Sequence, residues 1–132
     1  MPFEEIQHTA DWSLRIWATD LPELFAESAR GMNALSGTRL SPAPKISRTI
    51  ELDAPDSESL LVSFLSELVY FGEQEKLAFD EFTIRLAKNR LTAKIAGGSI
   101  LSIDKAIKAV TYHNLQILET PNGFEVEIVF DV

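Results

Sequence analysis

The chain has 132 residues, of which 45% are hydrophobic, and this length predicts one domain over 1–132 with a substantial core. Its 20 acidic and 12 basic residues give a net charge of −8, which argues against direct binding to nucleic acid or to an anionic membrane. Because the chain has no cysteine, no membrane-spanning apolar stretch and no signal-peptide pattern, we expect a cytoplasmic protein without disulfides or cysteine-ligated zinc.

The first third of the chain predicts a strand followed by a helix. Apolar residues alternate with others from Trp12 to Ala18, which is typical of a strand, and a further strand is expected around Phe3–His8. Asp20 is a good helix N-cap and Pro22 suits a first helical turn. The helix therefore runs over 21–35, and Gly37 ends it.

The middle of the chain predicts a loop, a strand and a second helix. Two prolines make Ser41–Pro44 a loop, and the even-numbered apolar residues of Ile46–Leu52 predict a strand. Asp56 is the expected N-cap of a strongly amphipathic helix. Gly72 and the charged stretch Glu73–Lys76 are expected to close it.

The last third predicts strands. The predicted elements are strands over 82–86 and 91–95 joined by a turn at 88–90, an interruption at Gly97-Gly98, a long strand over Ile107–Leu118, a hairpin turn at Pro121-Asn122-Gly123, and a final strand over 126–130. Together the elements predict an α/β fold of the α+β sandwich type. It has mostly antiparallel sheets, with two amphipathic helices packed on one face.

Few residues suggest chemistry by their spacing. His8 and His113 are the two histidines, and from spacing alone a lone histidine is more often a structural or exposed residue than a functional one. Asp11 has the parity of Ser13 and Arg15, opposite the apolar set of its strand, so it is expected off the core face. Asp131 is placed in the same way on the final strand. Each is a solvated carboxylate unless something binds it.

The last two residues add an electrostatic argument. If Val132 ends the chain, its terminal carboxylate lies directly beside Asp131, and Asp11 would be a third anionic group if the strands bring it near. Like charges about 4 Å apart repel by a few kcal/mol near a protein surface. These groups therefore either point apart into water or surround a cation. An oxygen-only ligand set favours a hard ion such as Ca²⁺, Mg²⁺ or Mn²⁺ over zinc.

Three short segments carry a family resemblance. They are His8-Thr9-Ala10-Asp11, the stretch from Lys108 to His113 (KAVTYH), and the final Val129-Phe130-Asp131-Val132. In this order, and with the two amphipathic helices between them, they resemble the archease family over essentially the whole chain.

The resemblance implies an accessory protein that is not itself an enzyme. Archeases assist the RtcB-type tRNA-splicing RNA ligase, which joins RNA ends through a guanylylated histidine. They promote its guanylylation and support repeated turnover. The resemblance also implies a divalent-metal site at Asp11, Asp131 and Val132, with Ca²⁺ as the first expectation and Mg²⁺ or Mn²⁺ as alternatives.

Four further residues lie in the matching motifs. His8, Lys108, Tyr112 and His113 are candidates for contact with the partner or for support of the metal site, and no residue is expected to be catalytic.

Two other functions remain open from the sequence. One is a chaperone or binding module for an RNA-modifying enzyme such as a tRNA methyltransferase, which needs an exposed apolar patch and no metal. The other is a small metal-dependent hydrolase that uses His8, His113, Asp11 and Asp131, although no two of these have a recognised ligand spacing.

Overall fold

The computed structural model describes residues 2–7 and 12–132. Within them the chain forms an α+β fold of two helices and antiparallel sheets, which confirms the predicted fold class. In chain order the elements are β1 (Phe3–Gln7), β2 (Trp12–Ala18), α1 (Leu21–Ser36), β3 (Arg39–Leu40), β4 (Ile46–Asp53), α2 (Ser57–Glu75), β5 (Leu77–Ala87), β6 (Arg90–Ser102), β7 (Ala109–Val110), β8 (Leu118–Thr120) and β9 (Gly123–Asp131).

The strands form two sheets. The first has the order β1-β2-β9-β7, and β8 also pairs with β9. The second has the order β3-β6-β4, and β5 also pairs with β6. Helix α1 packs against β2 of the first sheet and β5 of the second, and α2 contacts β4, β5 and β7. Both helices therefore share one core with both sheets.

Helix α1 begins and ends where the sequence predicts. The Asp20 carboxylate accepts a hydrogen bond from the Glu23 backbone N–H at 2.8 Å, so it caps the first turn. Gly37 follows the last turn with a φ of 67°, a left-handed conformation that glycine adopts without steric cost.

Helix α2 also begins and ends where the sequence predicts. Asp56 caps it by accepting from the Ser59 N–H at 2.7 Å. The helix continues through Gly72 to Glu75 and ends at Lys76, which has a φ of 57°, so it closes within the predicted charged stretch Glu73–Lys76. A glycine inside a helix costs only about 1 kcal/mol relative to alanine, and the packed helix tolerates it.

The core contains aromatic and aliphatic side chains from both helices and both sheets. The Phe25 and Phe64 rings of the two helices lie 6.1 Å apart, and Phe64 meets Phe82 of β5 edge-on at 6.4 Å. Phe130 of β9 and Ile16 of β2 are fully buried from the side of the first sheet. The inner face of the β2–β9 pair is therefore packed against the core.

The predicted interruption at Gly97-Gly98 is wrong, because β6 continues to Ser102. A Cβ atom on Gly97 would lie 2.0 Å from the Ala78 carbonyl oxygen and 2.5 Å from the Phe79 Cα atom. The pairing of β5 with β6 shifts register between Phe79 and Glu81 at this point. Glycine is therefore present because the neighbouring backbone approaches closely within a continuous sheet.

The hairpin predicted at Pro121-Asn122-Gly123 is confirmed: β8 and β9 pair on either side of a turn at Pro121 and Asn122. Within 2–7 and 12–132, no helix is long and apolar enough to cross a membrane.

Candidate functional site

The end of β9 lies between two other strands of the first sheet. Trp12, the first residue of β2, is opposite Phe130, and Ala109 of β7 is opposite Asp131. The Lys108 backbone N–H donates to the Asp131 carbonyl oxygen at 2.8 Å. We call this place, formed by Trp12, Lys108, Asp131 and Val132, the Asp131 corner. It is fixed from both sides by backbone pairing.

The side chains of β9 alternate at this corner as the sequence predicts. Ile128 and Phe130 are fully buried, whereas Glu127 and Asp131 are exposed on the outer face of the sheet. Val132 is half-buried and its side chain packs against the core. The structure therefore brings Asp131 and Val132 together with one side chain facing solvent and the other anchored.

The outer face is not fully solvated near the corner. Ser13 and Val129 are opposite each other on the face where we expected exposed residues, yet their exposed fractions are 0% and 7%. The expectation that this parity faces water is therefore wrong at Ser13. Its Oγ atom has no hydrogen-bond partner within the described part of the chain. The sequence signals the burial of Ser13 only by placing this small hydroxyl residue among the large apolar residues of β2.

The predicted long strand over Ile107–Leu118 is wrong. Only Ala109 and Val110 pair as β7, and β8 does not begin until Leu118. The backbone N–H and the hydroxyl of Thr111 both donate to the Val129 carbonyl oxygen, at 3.0 and 2.9 Å. A turn then follows, in which Leu115 N–H donates to the Tyr112 carbonyl at 3.0 Å and Asn114 has a φ of 51°. These local bonds replace the ladder of a continuous strand.

Three candidate contact residues are exposed on the two sides of β7. Lys108 and His113 are exposed, and the Tyr112 side chain is 59% exposed. The His113 N–H donates to the Thr111 hydroxyl at 3.3 Å, and the Asn114 amide nitrogen lies 3.4 Å from the His113 ring nitrogen Nε2. Lys108 belongs to the Asp131 corner, and Tyr112 and His113 are connected to it along the chain through β7.

His8 and Asp11 lie outside the described residues, so their predicted roles stay predictions. Within 2–7 and 12–132, no cluster of three or more histidine, cysteine, aspartate or glutamate side chains could hold a metal ion. The Asp131 carboxylate and the main-chain oxygen of Val132 are oxygen donors, which suit a hard cation. A third donor from Asp11 would complete the predicted set.

Sequence reasoning missed a cation beside the corner. The Lys105 ammonium lies 5.7 Å from the centre of the Trp12 ring. The backbone N–H groups of Asp104 and Lys105 both donate to the Ser36 carbonyl at the end of α1, at 2.9 and 3.0 Å. This loop is therefore held by contacts between distant parts of the chain, which no local pattern predicts.

Comparisons with known proteins match one family over almost the whole chain. The model of the archease protein family (MTH1598/TM1083) matches residues 3–132. Protein archease of Methanosarcina barkeri is 34% identical, over 98% of this chain and 95% of that one.

Two solved structures share the fold. The solution structure of Methanobacterium thermoautotrophicum protein 1598 matches with a TM-score of 0.74 at 23% identity, over 99% of both chains. The crystal structure of an archease from Thermotoga maritima, described as a possible chaperone, matches with a TM-score of 0.72 at 22% identity, over 98% of this chain and 96% of that one.

Proposed function

Because the chain belongs to the archease family, we propose that it is a cytoplasmic accessory protein of an RtcB-type tRNA-splicing RNA ligase. In this role it promotes guanylylation of the ligase and supports repeated turnover, and it catalyses no reaction alone. The net charge of −8 favours docking on a basic partner surface, mainly by raising the association rate.

The proposal includes a divalent-cation site formed by Asp11, Asp131 and the main-chain oxygen of Val132, with Ca²⁺ as the first candidate and Mg²⁺ or Mn²⁺ as alternatives. The observation that carries it is the register of β2 with β9. Trp12 is opposite Phe130 in an antiparallel pair, so the residue before Trp12 and the residue after Phe130 are the two aspartates.

The chain's own residues fix the donors. The Lys108 N–H and the pairing with Ala109 hold the Asp131 backbone, and the buried Phe130 beside it prevents rotation of the strand end. Packing of the Val132 side chain against the core holds its main chain next to Asp131. A bound cation would supply positive charge that offsets the negative charge of a phosphoryl group in transfer.

The exposed residues next to the corner are proposed contacts with the ligase. Lys108 presents a cationic side chain just before β7, and Tyr112 and His113 present an aromatic and an imidazole side chain on a turn that Thr111 anchors to β9. We propose His8 as a further contact with the ligase, because it lies three residues before Asp11 in the sequence. Exposed aromatic and basic groups around a fixed centre suit recognition of another protein.

A guanylylation time course of the ligase tests the proposal. Purified ligase, GTP and divalent ion are incubated with the wild-type protein, with Asp11→Ala, with Asp131→Asn, or with Glu51→Gln as the control. Glu51 is an exposed carboxylate of β4 in the second sheet, so its variant removes the same charge elsewhere. We expect both aspartate variants to lose the stimulation and the control to keep it. Full stimulation by either aspartate variant would contradict the metal site.

A second candidate function, a chaperone for an RNA-modifying enzyme, is favoured by an apolar groove. The groove has a volume of about 290 Å³ between the ends of α1 and α2, and Ile100, Ile103 and Ile107 line one side. Leu101 and Ile103 are 67% and 40% exposed beside it. Such a surface can bind apolar segments of another protein.

The two functions differ in their need for metal. If the chaperone function is the main one, the protein suppresses aggregation of a tRNA methyltransferase in the presence of EDTA, and Asp131→Asn suppresses it equally. Ile103→Ser should then weaken the suppression. Loss of activity in EDTA would favour the ligase function instead.

A further inference from the structure

A second concave surface lies at the other end of the β2–β9 pair. It is a cavity of about 380 Å³ between the end of β2, the first two turns of α1 and the β8–β9 hairpin. We call it the Trp17 pocket. Its lining includes Pro2, Trp17, Ala18, Glu23, Glu27 and Phe124.

One wall of the Trp17 pocket is acidic. Glu23 and Glu27 are four residues apart on α1 and both line the cavity. The guanidinium of Arg30 binds both carboxylates, at 3.1 Å from Glu23 and closer to Glu27. The Arg30 Cζ atom also lies 5.8 Å from the centre of the Phe82 ring, in the second sheet. Two carboxylates thus share one cation, and one negative charge is left over.

Glu27 is the more confined of the two acids, with a side chain only 12% exposed. Burial raises its pKa, and the neighbouring Glu23 carboxyl raises it further, against the opposite effect of Arg30. A second positive charge in the cavity would favour the ionised form of this group.

The opposite wall is apolar. Trp17 is 40% exposed, although it is large and apolar, and Ala18 and Phe124 face each other beside it as a strand pair. The Trp17 N–H donates to the Pro2 carbonyl at 2.9 Å, which fixes the start of the chain against this edge. An exposed indole next to carboxylates suits a group that is apolar along its length and cationic at its tip.

The pocket is preformed. Gly123, at the hairpin turn, has a φ of 138°, and a Cβ atom on it would lie 2.2 Å from the Ala18 carbonyl oxygen. Because Gly123 has no side chain, the backbone of the hairpin packs directly against the end of β2. A rigid wall reduces the entropy cost of binding.

The surface beyond the pocket is flat and acidic. Glu125 is opposite Trp17 on the outer face of the first sheet, and Glu4 and Glu127 lie on the same face. Arg15 is 3.0 Å from Glu125 and 3.7 Å from Glu4, and the hydrogen bond from Arg15 to Glu125 raises the pKa of Arg15. Two of these three carboxylates, Glu4 and Glu125, therefore share one guanidinium. A small amine would occupy only the Trp17 pocket. A basic protein surface would contact both the pocket and the acidic outer face of the first sheet.

We propose that the Trp17 pocket receives a lysine or arginine side chain from the basic surface of a partner protein. The methylene groups of that side chain lie on Trp17, and its cationic head joins Arg30 as a second positive charge at the Glu23 and Glu27 carboxylates. The flat acidic face then binds the surrounding basic surface. This inference needs no metal and does not depend on which protein is the partner.

An NMR titration with two short peptides tests the pocket directly. One peptide alternates glycine and lysine, and in the other norleucine replaces lysine and so removes only the charge. We expect the lysine peptide to shift the Trp17 indole N–H signal and the backbone signals of Glu23 and Glu27. The norleucine peptide should leave them unchanged. Equal shifts from both peptides, or shifts confined to the flat face, would overturn the proposal.

Charge variants localise the binding. The double variant Glu23→Gln/Glu27→Gln should weaken lysine-peptide binding about fivefold, because two ionic contacts become neutral. A matched double variant, Glu51→Gln/Asp53→Asn, removes the same charge from β4 and should change affinity less than about twofold. If the Glu27 change disturbs folding, Trp17→Ala tests the apolar wall and should also abolish the shifts at Glu23. Equal weakening by the matched variant, or binding that survives Trp17→Ala, would refute the pocket.

Discussion

The two ends of the β2–β9 pair present carboxylates in different surroundings. The Asp131 corner has an exposed aspartate beside a main-chain oxygen, fixed by backbone pairing on both sides. The Trp17 pocket, six residues away along β2 or about 20 Å, has glutamates against a tryptophan. Oxygen donors at a rigid strand end suit a small hard ion, whereas carboxylates facing an apolar wall suit an organic cation. The same residue types therefore predict different ligands at the two ends.

The largest expected effect separates the two ends by kinetics. When this protein is titrated into a fixed amount of ligase, Asp131→Asn should abolish the stimulation of guanylylation at every concentration of the variant, because the proposed ion-binding group is lost. Glu23→Gln/Glu27→Gln should reach the wild-type plateau but need about fivefold more protein, because only docking is weakened. This prediction assumes that the ligase is the partner of the pocket. Identical curves for the two variants would mean that the two ends do not have separate roles.

Glycine substitutions compare the rigidity of the two regions. Gly123→Ala should reduce the free energy of unfolding by about 2–3 kcal/mol, because the new Cβ meets backbone and φ is positive. Gly37→Ala should cost only about 1 kcal/mol, because its Cβ meets the exposed side chain of Asp104, which can move. Urea denaturation measures both values. A smaller loss at Gly123 than at Gly37 would contradict a preformed Trp17 pocket.

Sequence alone predicted the regular parts of both regions. Strands β2 and β9 and helix α1 have strong local signals, namely alternation, the Asp20 cap and the glycine stop. The register that puts Trp12 opposite Phe130 depends on contacts between the two ends of the chain, so the sequence could only suggest that the acidic residues meet.

The parts that the sequence did not predict depend on distant contacts. The turn after Val110 follows from hydrogen bonds to Val129, and the Lys105 loop follows from bonds to Ser36. The Trp17 pocket has the same origin. The helical spacing of Glu23 and Glu27 is visible in the sequence, but the opposing Trp17 and Phe124 come from two other elements.

A smaller effect involves the cap of α2, a region that belongs to neither end and so serves as a reference. The hydrogen bond from the Ser59 N–H lowers the pKa of Asp56, so the ionised cap stabilises the folded state. Asp56→Ala should lower the urea midpoint at pH 7. Because the folded-state pKa lies below the unfolded one, the difference from wild type should persist above the ordinary aspartate pKa of about 3.9 and shrink as the pH falls below it. A difference that grows at low pH would be inconsistent with an ionised cap.

The smallest expected effect concerns Lys105 beside the Asp131 corner. Lys105→Gln removes a cation–π contact with Trp12 and should change stability by less than about 1 kcal/mol. It should also strengthen divalent-ion binding about twofold, because a nearby positive charge is gone. Lys94→Gln, on the exposed side of β6, is the control and should leave ion binding unchanged. Weaker ion binding in Lys105→Gln would contradict a repulsive effect of Lys105 on a cation at the Asp131 corner.

Paramagnetic broadening by Mn²⁺ tests the proposed cation site most directly, because it needs no partner protein. In an NMR titration of the isolated protein, the amide signals of Trp12, Phe130, Asp131 and Val132 should broaden at the lowest Mn²⁺ concentrations. Signals at Trp17 and Phe124 should broaden later, and Asp131→Asn should remove the difference. Broadening that begins at the Trp17 pocket, or that Asp131→Asn leaves unchanged, would contradict a divalent-cation site at the Asp131 corner.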